Sequence, residues 1–394
     1  MNFKKVHDSG SLVSAAGCRP KRRFHRRLPG LRAGVLVAVC AVVLLLISPS
    51  GVRAELFPVY DEIKPNVAFW KDIFSRYPST QGVLHDRHEL DLVYTVLDVE
   101  KPGSEAARQR NWLRINAARA GIRDTLHHLA DGKAPRNDRE KQIQDLFGPR
   151  PVPDRLRQAA ENIRFQRGLK DRFRRGVIRS GAFLGQIKEI LRQYELPEDL
   201  AYLPHVESSF KYEANSHLGA AGIWQFMPAT GRDYMTINYV LDERRDPIRA
   251  THAAARLLKE NYRRLGTWPL AITAYNHGAG GMLRARDQHG DYPMIFLYYT
   301  GSRFGFASRN FYSEFLAARE VAKNAEKYFG PLELDPEWGG HEIVLSDYVP
   351  LAHLAAHLGL DVDTLHRYNQ GLRAPVLRGE ENVPKGYRLR IPVN

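Results

Sequence analysis

Cysteine is almost missing from this chain: among 394 residues only Cys18 and Cys40 carry a thiol, and both fall in the first 54. Everything downstream is therefore built without a disulfide or a thiolate metal site. Internal repeats and low-complexity tracts are absent, which removes the solenoid and linker classes. Long apolar runs are scarce too, the one uncharged stretch being residues 33–47. The remaining composition, 43% apolar and 26% charged, suits a folded protein of two or three units rather than a disordered one.

The net charge of +14 loses most of its meaning once it is located. Residues 1–54 hold ten Lys/Arg and one acid, so the rest of the chain carries 48 basic against 43 acidic residues, a balance of +5. Lys21, Arg22, Arg23, Arg26, Arg27 and Arg32 precede the apolar run, and Val52-Arg53-Ala54 follows it with small residues at −3 and −1 of a cleavage point. That order is a secretory signal. Fifteen helical residues span about 23 Å against a hydrocarbon core of about 30 Å, which favours cleavage after Ala54 over an uncleaved anchor. An exported chain argues against a nucleic-acid partner and leaves membrane association open.

Residues 55–153 read as a helical N-terminal extension, with breaks at Lys101-Pro102-Gly103 and Gly148-Pro149-Arg150-Pro151 and an ambiguous helix-or-strand stretch at 90–99. Residues 154–330 read as all-helical. From Arg164 to Arg179, Phe165, Leu169, Phe173 and Val177 recur at four-residue steps, so the pattern predicts one helix with these as its core stripe. Its arginines then form a solvated face, with attraction of an anionic polymer as the alternative. Asp246-Pro247 marks a helix start and Gly266 its end. Thr267 caps a following helix, and Ser308 is the expected cap of a long one carrying Phe311, Phe315, Val321, Ala325 and Tyr328. Residues 341–394 read as a small β-α-α-β module.

One helix breaks the pattern. Leu200, Leu203, Glu207 and Phe210 fall on one face, so Glu207 lies on an apolar stripe where a carboxylate is costly unless protonated or hydrogen-bonded. Glu207-Ser208 is followed by Gly222-Ile223-Trp224-Gln225, a small-residue approach to a stacking ring and an amide, and then by Ala274-Tyr275-Asn276-His277-Gly278. In that order and at those separations the three motifs resemble those of family 1 lytic transglycosylases. The resemblance implies a goose-lysozyme-like α-helical fold acting on peptidoglycan, with Glu207 as the catalytic residue and Ser208, Gln225, Tyr275 and Asn276 shaping the acid site or holding the sugar. It implies neither a cofactor nor a metal. In such an enzyme one glutamate protonates the glycosidic oxygen and then takes the proton of the C6 hydroxyl, closing a 1,6-anhydro ring on N-acetylmuramic acid.

Other signals are weaker. His353 and His357 lie one helical turn apart without a zincin glutamate, and Gly278-Ala279-Gly280-Gly281 follows a helix, so neither makes a metal site or a dinucleotide loop. Leu351-Ala352-His353-Leu354-Ala355, Leu365-His366-Arg367-Tyr368-Asn369 and Tyr387-Arg388-Leu389-Arg390-Ile391-Pro392 resemble a LysM module. The usual Gly-Asp-Thr-Leu start is replaced by Asp347-Tyr348-Val349-Pro350-Leu351, which turns the expectation toward a packed cap. Two readings compete with the transglycosylase: a hydrolase of the same fold, with a second carboxylate among Glu213, Asp233 and Asp242, and a non-catalytic peptidoglycan-binding protein.

Overall fold

The structure, a computed structural model, describes residues 55–392 apart from residue 102. The export signal expected within 1–54 lies outside the described residues. α1 (Lys64–Ser75) leads into a hairpin of β1 (Gln81–Asp86) and β2 (Val93–Asp98), followed by α2 (Glu105–Ala130), α3 (Asp138–Asp145) and α4 (Pro153–Glu161). β3 (Ile163–Arg167) completes an antiparallel sheet in the order β2-β1-β3. Next come α5 (Lys170–Ser180), α6 (Leu184–Gln193), a 3₁₀ turn (Glu198–Tyr202), α7 (Leu203–Glu207) and α8 (Pro228–Arg232). The helices α9 (Pro247–Leu265), α10 (Trp268–His277), α11 (Ala279–His289), α12 (Tyr292–Tyr298), α13 (Phe306–Lys323) and α14 (Ala325–Phe329) follow. The chain closes with β4 (His341–Val344), α15 (Leu351–His357), α16 (Val362–Tyr368), the one-turn α17 (Ala374–Leu377) and β5 (Arg388–Ile391), in which β4 and β5 pair antiparallel.

The fold is mainly α, as expected, but the N-terminal extension is not purely helical. The ambiguous stretch 90–99 contains β2, where Val93, Tyr94, Thr95 and Val96 supply the β-branched and aromatic residues a pleated surface favours. The single helix predicted from Arg164 to Arg179 is a strand followed by a helix. Phe165 pairs opposite Leu84 in the sheet, and α5 begins only at Lys170. Phe173 and Val177 are buried as the stripe requires, whereas Phe165 and Leu169 are half-buried. The four-residue spacing was real; pairing with β1 outweighed it at its first turn.

β1 is buried on both faces. Leu84 joins a core with Ile122, Leu126, Leu156 and Ile163 on one side, and Val83 joins Phe74, Phe173, Ala317 and Val321 on the other. The sheet is thus clamped between the extension's own helices and α1, α5 and α13, which carries Arg164 onto the Phe306 ring at 3.9 Å. The largest core gathers Phe183, Leu200, Leu203, Phe210, Trp224, Leu258, Ile272 and Phe315. Burying each large apolar side chain is worth roughly 1.5–3 kcal/mol.

Asp246 caps α9 as predicted, accepting from the N–H groups of Ile248 (2.8 Å) and Arg249 (3.0 Å), and Gly266 at φ +81° stops it. On this helix Tyr262 lies exposed and stacks on Trp268 at 4.4 Å. Ser308 is not a cap: α13 starts two residues earlier behind Gly305, and Asn324 splits off α14 with Ala325 and Tyr328. Thr267 sits at the N-cap of α10 but its side chain makes no capping bond.

The β-α-α-β order of the last fifty residues holds, with α17 added. This module shares its core with the helical domain, since Leu241 packs among Leu351, Leu365, Leu372 and Val376. Backbone bonds from Asp242 N to Gly371 O (2.7 Å) and Arg373 N to Val240 O (3.0 Å), and the Arg249–Glu342 ion pair (2.5 Å), fasten it further. His353 and His357 are both exposed on α15.

Candidate active site

Glu207 is the last residue of α7, a helix cut short by the backbone turn just beyond it. The expected single helix over Leu200, Leu203, Glu207 and Phe210 is a 3₁₀ turn followed by five α-helical residues. Ser209 (φ +51°) and Phe210 (φ +56°) then adopt left-handed backbone, a conformation that costs a non-glycine residue about 1–2 kcal/mol. Phe210 is held there by complete burial beside Leu200 and Leu203. Arg179 donates twice to Ser209 O, at 2.6 and 3.2 Å, and Gly176 on α5 brings that helix so close that an added Cβ would meet Ser209 at 3.0 Å. The stored strain sits directly after Glu207, where it turns the chain out of the helix and leaves the carboxyl in a cleft.

That cleft encloses about 720 Å³ and is lined by Leu169, Arg172, Arg175, Arg179, 206–209 and 211–213. The half-buried Glu207 carboxyl has no hydrogen-bond or ion-pair partner among the described residues. Burial pushes it up to about 8, with a smaller push from the negative charge of Glu314. Near neutral pH it is therefore mainly a proton donor.

The three sequence motifs meet through the backbone of the middle one. The Ser208 hydroxyl donates to Ile223 O at 2.9 Å, and the Tyr275 hydroxyl donates to Trp224 O at 2.8 Å. Burial, and next the Glu207 charge, hold the Tyr275 phenol protonated well above its usual range. Asn276, exposed at the end of α10, accepts from the Ser308 hydroxyl at 2.8 Å, which is what Ser308 does in place of capping α13. Gln225 sits at φ +50° and its amide donates to Gly222 O at 2.8 Å, so it braces its own loop. Trp224 corrects the sequence reading outright. It is completely buried with Nε1 donating to Thr251 Oγ1 at 2.8 Å, and offers no stacking face.

Of the other acids weighed from sequence, Glu213 lines the cleft. Asp233 is exposed just beyond α8, and Asp242 is committed to Arg244 at 2.8 and 2.9 Å. The carboxylate that sequence reading missed is Glu314. It lies half-buried on α13, which packs on α7, and burial pushes it up to about 8 against the pull of Arg164. The signal that singled out Glu207 was present here too. Glu314 follows Phe311 by three residues and precedes Ala317 and Ala318 by three and four, a charge on a buried stripe.

Each of these two carboxyls is raised in the fold above its unfolded value of about 4.5. Folded protein therefore binds more protons than unfolded protein between about pH 4.5 and 8, and stability falls as pH rises through that window. Glu314→Gln removes one such group and one like charge beside Glu207. The expected result is a smaller drop in melting temperature between pH 5 and pH 8.5 than in the parent, and a lower pKa for Glu207. Differential scanning calorimetry across that range checks it; an unchanged drop contradicts the assignment.

The family model described as Transglycosylase SLT domain matches residues 186–295, a segment containing all three motifs. The chain is 29% identical over 239 residues to membrane-bound lytic murein transglycosylase D of Escherichia coli (strain K12), a match covering 58% of this chain and 50% of that protein. It spans about half the length of the curated relatives it matches. The inactive mutant of lytic transglycosylase Slt from Pseudomonas aeruginosa aligns at 18% identity and TM-score 0.32, over 59% of this chain and 37% of that one. The 70 kDa soluble lytic transglycosylase of Escherichia coli aligns at 19% identity and the same TM-score, over 57% and 36%. The match of 186–295 thus falls on the segment that holds Glu207, the 222–225 loop and Tyr275, and there the chain is similar to the transglycosylase SLT domain.

Proposed function

We propose that this protein is a peptidoglycan lytic transglycosylase. It cleaves the β-1,4 bond between N-acetylmuramic acid and N-acetylglucosamine and leaves 1,6-anhydro ends, in remodelling of the cell wall. The observation that carries the reading is a mainly protonated Glu207 facing the cleft, with Ser208 and Tyr275 tied to adjacent carbonyls of one loop. Glu207 gives its proton to the glycosidic oxygen, and the resulting carboxylate accepts the proton of the C6 hydroxyl as that oxygen closes on C1. The nucleophile is part of the substrate, so no residue need activate water. Ser208 and Tyr275 fix the loop against the acid, while Gln225 holds the loop's shape and Asn276 supplies a sugar-holding amide at the end of α10.

Mass spectrometry of the soluble products from purified sacculi tests this. The expected muropeptides are one water lighter than their hydrolysis counterparts. Products with reducing ends alone would establish instead a hydrolase, which needs a second, ionised carboxylate; Glu314, held mainly protonated near neutral pH, is poorly suited to that part.

We further place the protein in the periplasm, exported by residues 1–54, with residues 341–394 bracing the 238–242 segment rather than serving as a free LysM arm. Among the described residues no helix is long and apolar enough to cross a membrane. Intact-mass analysis of the mature protein is expected to begin at Glu55; retention of 1–54 on membrane-bound protein would mean an anchor.

A further inference from the structure

The Glu207 cleft has one strongly basic wall. Arg172, Arg175 and Arg179 follow one another at three- and four-residue steps on α5, so they share a face, while Phe173, Gly176, Val177 and Ser180 point into the protein. Lys211 adds a fourth cation to the lining, against the single exposed acid Glu213. Neither Arg172 nor Lys211 has a carboxylate within 4.0 Å among the described residues. Arg175 reaches only Asp171, at 3.7 Å, and that carboxylate is already engaged by Ser79 through its N–H (2.6 Å) and hydroxyl (2.8 Å). Arg179 is half-buried and locked in place by its two bonds to Ser209 O. Burial and the neighbouring Arg175 charge both work against its positive form. Like charges gathered on a cleft wall with so few carboxylate partners are unfavourable by themselves and become favourable when an anion enters.

The glycan backbone of peptidoglycan cannot be that anion. Once its lactyl group is in amide linkage to the peptide, the disaccharide carries no charge, and the carboxylates lie on the peptide stems. The stem hangs from C3 of the same muramyl residue whose C1 bond would face Glu207, which brings it within reach of the walls of this cleft. We propose that Arg172, Arg175 and Arg179, with Lys211, receive the carboxylates of the peptide stem, so that the charge of the stems adds to the affinity for the strand. The inference rests on the transglycosylase reading for its substrate, but the wall's preference for anionic strands is measured separately.

The test compares native sacculi with sacculi whose stem carboxylates have been converted to methylamides, which keeps stem size and removes charge. Co-sedimentation of Glu207→Gln protein at low salt is expected to show about tenfold weaker binding to the amidated material, a difference that shrinks as salt rises. In the Glu207→Gln/Arg172→Gln/Arg175→Gln protein the difference should collapse to about twofold, with thermal unfolding confirming that the exposed arginines were not needed for folding. Equal binding of both sacculi by the single variant, or an undiminished difference in the triple variant, overturns the proposal. Product analysis of the wild type is the separate arm: absence of anhydro ends refutes the catalytic reading and leaves the binding comparison intact.

Discussion

On the proposed transglycosylase reading, Glu207→Gln is expected to lower the release of soluble muropeptides from sacculi by at least about 10²-fold while leaving the protein folded and able to bind glycan. The amide has nearly the volume of the carboxyl and retains hydrogen-bonding groups, but it cannot give up and regain a proton. No described residue anchors the Glu207 carboxyl, so the substitution breaks no ion pair among them and leaves no charge stranded. It removes instead a group that the fold holds protonated against its unfolded tendency, so a modest gain in melting temperature above about pH 6 accompanies the loss of activity. The two readouts separate a catalytic from a structural effect: loss of turnover with lowered stability would point to damage at the α7 turn. Near-normal turnover in the variant would remove Glu207 from the chemistry, and Glu314 and the cleft-lining Glu213 would be the carboxylates to examine next.

Gly222→Ala is expected to be the most damaging change outside Glu207. Gly222 lies at φ +76°, and a Cβ built there would stand 1.7 Å from Arg244 O. Neither side can yield easily. Arg244 is buried, paired with Asp242, and donates to Gly219 O at 2.7 Å and Phe226 O at 3.0 Å, closing the loop that contains Gly222. Asp242 is in turn bonded through its N–H to Gly371 O in the C-terminal module. Displacing the loop moves Ile223 O and Trp224 O away from the hydroxyls of Ser208 and Tyr275. We expect a stability loss of at least about 3 kcal/mol, with turnover falling in the fraction that still folds. Gly219→Ala is the control: its φ of +90° is also unfavourable for alanine, but the nearest atom to the added Cβ is Pro228 Cγ at 3.8 Å. Backbone strain alone should cost it about 1 kcal/mol. Chemical denaturation of both proteins decides the matter, and equal losses would show that the collision with Arg244 is relieved by small adjustments.

Much of the site was legible along the chain because its signals are local. A carboxylate on an apolar stripe conflicts with burial wherever it occurs, and that conflict marked Glu207 before any fold was known. Asp246-Pro247 and Gly266 bounded α9 correctly because capping depends on groups within one turn of each other. The same logic failed for Ser308, whose hydroxyl had an alternative partner in Asn276, thirty-two residues away and adjacent only after folding.

Non-local pairing accounts for the other differences. Arg164 to Arg179 satisfied a helical period throughout, but β1 offered a neighbouring edge to Phe165, and a ladder of inter-strand bonds outweighed the first helical turn. Trp224 looked like a sugar platform among small residues; the helical core had space for its ring and Thr251 supplied the acceptor its indole N–H required once buried. Local order along the chain set the export signal expected before Glu55, the helix boundaries with strong caps, the small C-terminal β-α-α-β pattern and the position of Glu207. Chain packing alone brought Glu314 toward Glu207, turned the arginines of α5 onto a cleft wall and fused the C-terminal module to the 238–242 segment. Each of those depends on residues far apart in the chain, whose mutual burial no residue spacing encodes.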